Sequence, residues 1–195
     1  DHTPGSQEAL KVVSRLANAF GAQLHVLHVI EPLWHFNGAA VQHLFYRQEQ
    51  RRAQKLLDAV QTQLQVDHVK VGQCQFVLGS VVDSIASTAT ALEAELIVLG
   101  AGNIAANRTV GITAQAVMEH AEQPVLVIHP GSPTLELKTI LCPIDHSSVS
   151  RRGLRNAIRL AKSLGSDLIV LSVIPEVSWL TAAAEIGEVT NVKEE

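Results

Sequence analysis

The stretch Lys138-Thr139-Ile140-Leu141-Cys142-Pro143-Ile144-Asp145-His146-Ser147 decides how the rest of the chain is read. It joins a short apolar run to an acidic turn. An amphipathic segment follows as far as Leu164, then Gly165, then the apolar run Leu168-Ile169-Val170-Leu171. Apolar run, amphipathic segment with a glycine stop, and second apolar run describe a strand–helix–strand unit. Most of this unit occurs twice. Residues 1–30 align with residues 145–174 without a gap, and 13 positions are identical. Asp1-His2 matches Asp145-His146, Arg15-Leu16-Ala17 matches Arg159-Leu160-Ala161, and Gly21 matches Gly165. The pairs Val26-Leu27 and Val29-Ile30 match Val170-Leu171 and Val173-Ile174. Two strand–helix units that converged on a shared apolar pattern would explain the apolar identities, but not the Asp-His pair or the glycine.

Nothing in the first copy corresponds to the strand at 138–144. The chain therefore reads as an excerpt of a tandem protein, about one and a half copies of a unit of ~140 residues, which is within the usual domain range. The expected division is a first domain at 1–130, a linker at 131–137 and the opening of a second domain at 138–195. Asp1 reads as the last residue of a leading strand. That strand is expected either before Asp1 or replaced by another segment, such as Thr139 to Ile144.

Outward from the repeat, the periodicity alternates. Ala9, Leu10, Val13, Leu16, Ala17 and Phe20 predict a helix over 8–20, closed by Gly21. Leu24 to Ile30 predicts a strand, apolar on both faces as in a covered parallel sheet. A longer helix spans 39–64, with Val41, Leu44, Phe45, Leu56, Leu57, Val60 and Leu64 as its inner face. Its Arg47, Arg51, Arg52 and Lys55 read as a solvated surface interleaved with Glu49 and Asp58. Val69 to Val77 predicts a less apolar strand, nearer a sheet edge. Ser80 caps the next helix, with Asp83 as its box-like partner. Strands at 96–99 and 125–128 flank a helix at 112–121. Strands alternating with helices imply an α/β architecture with a parallel sheet and right-handed crossovers.

Of the 195 residues, 47% are hydrophobic, 17% charged and 4% aromatic, so the core is aliphatic and the chain is not of a disordered type. A net charge of −4 argues against binding nucleic acid by bulk charge. No apolar run approaches the ~18 residues of a membrane span. Two cysteines are too few to staple such a fold and suit a reducing compartment.

In sheets of this class ligands bind at the carboxyl ends of strands. Two places qualify. One is the acidic turn at Asp145 and its copy at Asp1, where a carboxylate can accept from an adenine amino group or ribose hydroxyls. Its plainer role is to cap the next helix together with Thr3, Ser147 or Ser148. The other is the loop Gly100-Ala101-Gly102-Asn103 through Arg108-Thr109-Val110-Gly111-Ile112-Thr113, which leads into a helix N-terminus where an anion is favoured. The loop is neither a P-loop nor a dinucleotide fingerprint. His25 and His28 are three apart on one strand and point to opposite faces, and no cysteine has a close companion, so no metal site is expected. No local catalytic motif surrounds a serine or cysteine.

Taken together, the segment from Lys138 to Val173, the segment Leu78-Gly79-Ser80 to Ile85, the strand Ala94 to Gly100, and the run from Gly111 to Ile128 resemble the universal stress protein (UspA) family in its tandem-domain form. The resemblance implies an open five-stranded parallel sheet of order 3-2-1-4-5 with helices on both faces, of the adenine-nucleotide α-hydrolase-like type. It implies a cytoplasmic, non-enzymatic stress-response protein that pairs as a homodimer, or within one chain as a tandem, and acts through protein partners. It further implies ATP or AMP as ligand, and no metal. Asp1 and Asp145 match the family's acidic residue after strand one, and Val29 and Val173 match its strand-two position. Gly100 and Gly111 match the outer glycines of its phosphate loop, with Gly102 and Thr113 as substitutes for the middle glycine and the final hydroxyl. The loop departs from the family pattern: Asn103 stands at the second glycine, the stretch is two residues short, and Ile112 directly follows the last glycine. The expectation is thus a regulatory module with a degenerate adenine-nucleotide site. The alternatives are a functional ATP or AMP sensor, a soluble regulatory domain of a larger protein and, with least support, an adenine-nucleotide hydrolase.

Overall fold

The computed structural model describes residues 3–32, 39–101, 110–129, 131, 138–145 and 147–173. The chain forms two compact units, residues 1–136 and 137–195.

In the first unit, helix α1 spans Pro4–Phe20, earlier than the apolar periodicity predicts. The start is set by capping, which periodicity does not register. Thr3 is the N-cap, its Oγ1 accepts from the Ser6 amide at 3.2 Å, and Pro4 brings a helical φ to the first position. Gly21 ends the helix at φ 62°, a left-handed turn that an L-residue adopts only with strain. Strand β1 (Leu24–Ile30) follows, then α2 (Ala39–Val66) and β2 (Val71–Leu78). Next come α3 (Val81–Ala91), β3 (Ile97–Gly100), α4 (Ile112–His120) and β4 (Val125–Ile128). Ser80 caps α3 as expected, accepting from the Asp83 amide.

β1 pairs with β2 and β3 with β4, both in parallel. Helices cover these ladders with two aliphatic clusters. Ala17 of α1 and Leu64 of α2 pack with Val69, against Leu24 and Val26 of β1 and Val71 of β2. Ala89 of α3 and Val117 of α4 pack with Ile97, against Leu99 of β3 and Val125 of β4. α1 also lies on β3, where Gly5 meets Gly100 and Ala101. Where one five-stranded sheet is expected, the described strands form separate two-stranded ladders.

The predicted inner face of α2 is only partly correct. Leu57 and Leu64 are buried, as is Ala53, but Val41 and Leu44 are exposed. A helix of 28 residues runs about 42 Å, while an eight-residue strand runs about 27 Å, so its first turns overhang the sheet.

The second unit is one strand–helix–strand unit: β5 (Thr139–Ile144), α5 (Ser148–Leu164) and β6 (Asp167–Ser172). β5 and β6 pair in parallel, from Thr139 opposite Asp167 to Ile144 opposite Ser172. The repeat is visible in its caps. Ser147 caps α5 as Thr3 caps α1, and Gly165 ends it at φ 66° as Gly21 ends α1.

Candidate functional site

The candidate residues stand where strands end and helices begin, and their local geometry follows from the capping chemistry of the repeat. In the second unit, Asp145 leaves β5 and accepts from the Ser147 amide through Oδ1 at 2.8 Å. Ser147 Oγ in turn accepts from the Ser150 amide at 3.0 Å. The Ser150 hydroxyl donates to the Asp145 backbone carbonyl at 2.7 Å and to that of Ser147 at 3.1 Å. The same wiring recurs in the first unit, where the Ser6 hydroxyl donates to the Thr3 carbonyl at 2.9 Å. Ser6 and Ser150, identical across the repeat, are therefore part of the turn, a role their sequence identity signals but the apolar pattern does not. Hydrogen bonds from the Ser147 and Ser150 side chains, then from the Ser147 backbone, hold the Asp145 carboxyl down at about 2. Asp145 is thus an ionised, exposed carboxylate already serving the start of α5. Val173 follows the end of β6, next in register to Asp145 on the neighbouring strand, and is exposed. The structure therefore brings Asp145 and Val173 to one strand edge.

In the first unit, Val29 sits in β1 opposite Val77, half-buried, one residue short of the strand's end. Gly100 ends β3 opposite Ile128. A Cβ on Gly100 would overlap the backbone of Gly5 and Ser6, so its missing side chain serves the seating of α1. Gly5 has no motif and is visible only once α1 is placed. Gly111 is the N-cap of α4 and supplies no side-chain hydrogen bond. Ile112 stands first in the helix and is 87% exposed, with Thr113 exposed beside it. Asp1 and Gly102 lie outside the described residues.

Along the whole chain, residues 1–129 and 136–193 match the universal stress protein family. The chain belongs to it. No curated protein matches. Among solved structures, the universal stress protein UspA from Lactobacillus plantarum is similar at 22% identity and a TM-score of 0.59, covering 66% of this chain and 92% of that one. A universal stress protein from Archaeoglobus fulgidus is similar over 97% of this chain and 71% of its own, at 18% identity and a TM-score of 0.74. A universal stress family protein from Burkholderia pseudomallei is similar at 24% identity and a TM-score of 0.51, over 67% of this chain and 90% of its own. At such identities the likeness speaks for the α/β fold.

Other polar features of this family member have structural employment. His25 Nδ1 accepts from the Gln73 amide at 3.0 Å, with the ring laid over Gly72, where a Cβ would be too close. Burial pushes the Cys74 thiol up, away from the nucleophilic thiolate. Among the described residues, no three His, Cys, Asp or Glu side chains gather as metal ligands, and no helix is long and apolar enough to cross a membrane.

Proposed function

We propose that this universal stress protein is a cytoplasmic, non-enzymatic regulatory module whose adenine-nucleotide site is degenerate. The observation that carries this is Ile112. It occupies the first position of α4, where the family resemblance calls for a hydroxyl toward phosphate, and its branched apolar side chain stands in solvent. The engagement of Asp145 in the α5 cap and of Gly100 under α1 supports the same reading, because both residues have a structural task. Action by partner contact, as a homodimer or as a tandem within a chain, accompanies this proposal, as does a sheet of order 3-2-1-4-5.

One observation favours a functional ATP or AMP sensor instead. Gly111 leaves the first amides of α4 without a side-chain acceptor, and such amides favour an anion. One experiment decides between the two. The purified protein is denatured and released nucleotide is identified by mass spectrometry, and ATP and AMP are then titrated into the emptied protein by calorimetry. The degenerate-site reading expects no released nucleotide and no binding heat, with binding gained in Ile112→Ser. Stoichiometric ATP or AMP in the native protein overturns it in favour of the sensor. Conversion of added ATP to ADP, lost in Asp145→Ala, overturns the non-enzymatic part.

A further inference from the structure

α5 carries five of the chain's 15 lysines and arginines and none of its 19 acidic residues. The rest of the chain therefore holds ten cations against 19 acids. Arg151, Arg155, Arg159 and Lys162 follow one another at spacings of four, four and three. That spacing lines them along one face of the helix for about 16 Å. Arg152 borders the same face, and all five are exposed. The apolar stripe of Leu154, Ala157, Ala161 and Leu164 is turned the other way, and α5 packs on β5 and β6.

The repeat shows that this is an outer face of the fold. In the first unit, α2 accompanies α1 on β1 and β2. Gln7, Lys11, Arg15 and Asn18 of α1 correspond to the four ridge positions and are exposed there too. Exposure at these positions therefore belongs to the helix's place in the fold. The charge does not. Arg151 and Lys162 stand where α1 has neutral residues, and Arg152 stands where α1 has Glu8, which pairs with Lys11.

The basic cluster of α2 differs in kind. Arg47, Arg51, Arg52 and Lys55 are interleaved with Glu49 and Asp58, and Arg52 is ion-paired with Glu49. Among the described residues, none of the five α5 side chains has an ion pair or a hydrogen bond. Arg151, Arg155 and Arg159 succeed one another at i,i+4, where like charges oppose the helix. Nothing described in the second unit offsets that cost, so the ridge is built for something outside the helix.

We propose that this ridge docks an acidic helical segment of a partner protein, whose carboxylates recur at spacings of three and four. The inference rests on the partner-contact part of the reading above and gives that contact its chemistry. Four of the five cations are arginines, whose planar fork holds a carboxylate by two parallel hydrogen bonds. A long nucleic acid would run past the ridge onto a chain whose remaining charge is acidic, which repels it. α5 has no aromatic ring on which a base could stack. Its apolar stripe is engaged on β5 and β6 and is not offered to a bilayer.

The probe is a fluorescent alanine-rich peptide of about 15 residues, long enough to form a helix, with glutamates at spacings of four, four and three. Titrated with the full chain at low salt, it is expected to bind saturably, and more weakly as salt rises. Arg155→Gln/Arg159→Gln should weaken binding about tenfold, the loss of two exposed charge pairs. Arg51→Gln/Lys55→Gln on α2 should leave it unchanged. Because Arg155→Gln/Arg159→Gln also relieves like-charge pairs, its denaturant midpoint should not fall. A lower midpoint would give the arginines a structural partner and overturn the proposal. On the unaltered protein, which needs no variant to fold, carbodiimide coupling should join Lys162 to a peptide glutamate, read by mass spectrometry. No saturable binding, binding indifferent to Arg155 and Arg159, or coupling only elsewhere overturns the docking. Tighter binding of a DNA duplex or of phosphatidylserine vesicles through the same arginines overturns the acidic segment as occupant. The nucleotide experiment above fails or succeeds independently: bound ATP removes the degenerate site and leaves this docking in place.

Discussion

Gly100, at the end of β3, lies against the first turn of α1 so closely that a Cβ on it would overlap the carbonyl of Gly5, and a Cβ on Gly5 would overlap that of Ala101. The contact seats the start of α1 on the strand's end. Gly5→Ala ought to help by helix propensity, worth about 1 kcal/mol. Overpacking costs about 1–3 kcal/mol and more against backbone, so sterics win and both Gly5→Ala and Gly100→Ala lower the denaturant midpoint. Gly153 in α5 is the control, because nothing stands within 4 Å of its added Cβ. Gly153→Ala should raise the stability of the second unit by about 0.5–1 kcal/mol. Equal effects at all three positions would show the contact to be absent.

The overhang of α2 yields a contrast between two leucines on one helix. Leu64 is fully buried between α1, β1 and β2, while Leu44 is 69% exposed. Leu64→Ala should cost about 2–5 kcal/mol through lost transfer energy and the cavity left behind. Leu44→Ala should change stability by no more than about 0.5 kcal/mol. Urea unfolding of the two variants reads the difference, and a large loss at Leu44 would mean that the overhang packs against something.

These contrasts also show what was legible in the sequence. The α/β class and the placement of each described strand follow from apolar runs, because burying backbone in a covered sheet demands them; β1 and β4 fall at their predicted residues. The turn wiring was half legible: Thr3 and Ser147 are caps by residue type, and the offset identity of Ser6 and Ser150 points to the rest. Periodicity places Val41 and Leu44 on the inner face of α2, where the structure leaves them exposed, since it reports a stripe but not how far the sheet beneath it extends. The apposition of Gly5 and Gly100 joins positions 95 apart in sequence, and no local pattern carries it.

The repeated caps predict repeated energetics. Thr3→Ala removes the acceptor of the Ser6 amide at α1, and Ser147→Ala removes the acceptor of the Ser150 amide at α5. Each should cost about 1 kcal/mol in the stability of its own unit. Amide hydrogen exchange separates them, with faster exchange confined to the first turn of α1 in one variant and of α5 in the other. Loss spread evenly over both helices would rule out local capping as the role of these hydroxyls.

Asp145 predicts a pH dependence confined to one window. Its carboxyl lies at about 2 in the folded protein against an ordinary 3.8, chiefly through the Ser147 and Ser150 hydroxyls and then the Ser147 amide. A lowered folded value means that the ionised form is the one the fold prefers. Its contribution is therefore complete above about pH 4, declines as acid is added, and is gone below about pH 2. Carbon-detected NMR titration of the Asp145 side chain should show a midpoint near 2, moving toward 3.8 in Ser147→Ala and, less strongly, in Ser150→Ala. Asp145→Asn should remove the acid-induced fraying of the first turn of α5 between those pH values, since an amide retains an acceptor and does not titrate. A midpoint at the ordinary value in the unaltered protein would mean that the carboxylate is not held by the cap and is free for a ligand.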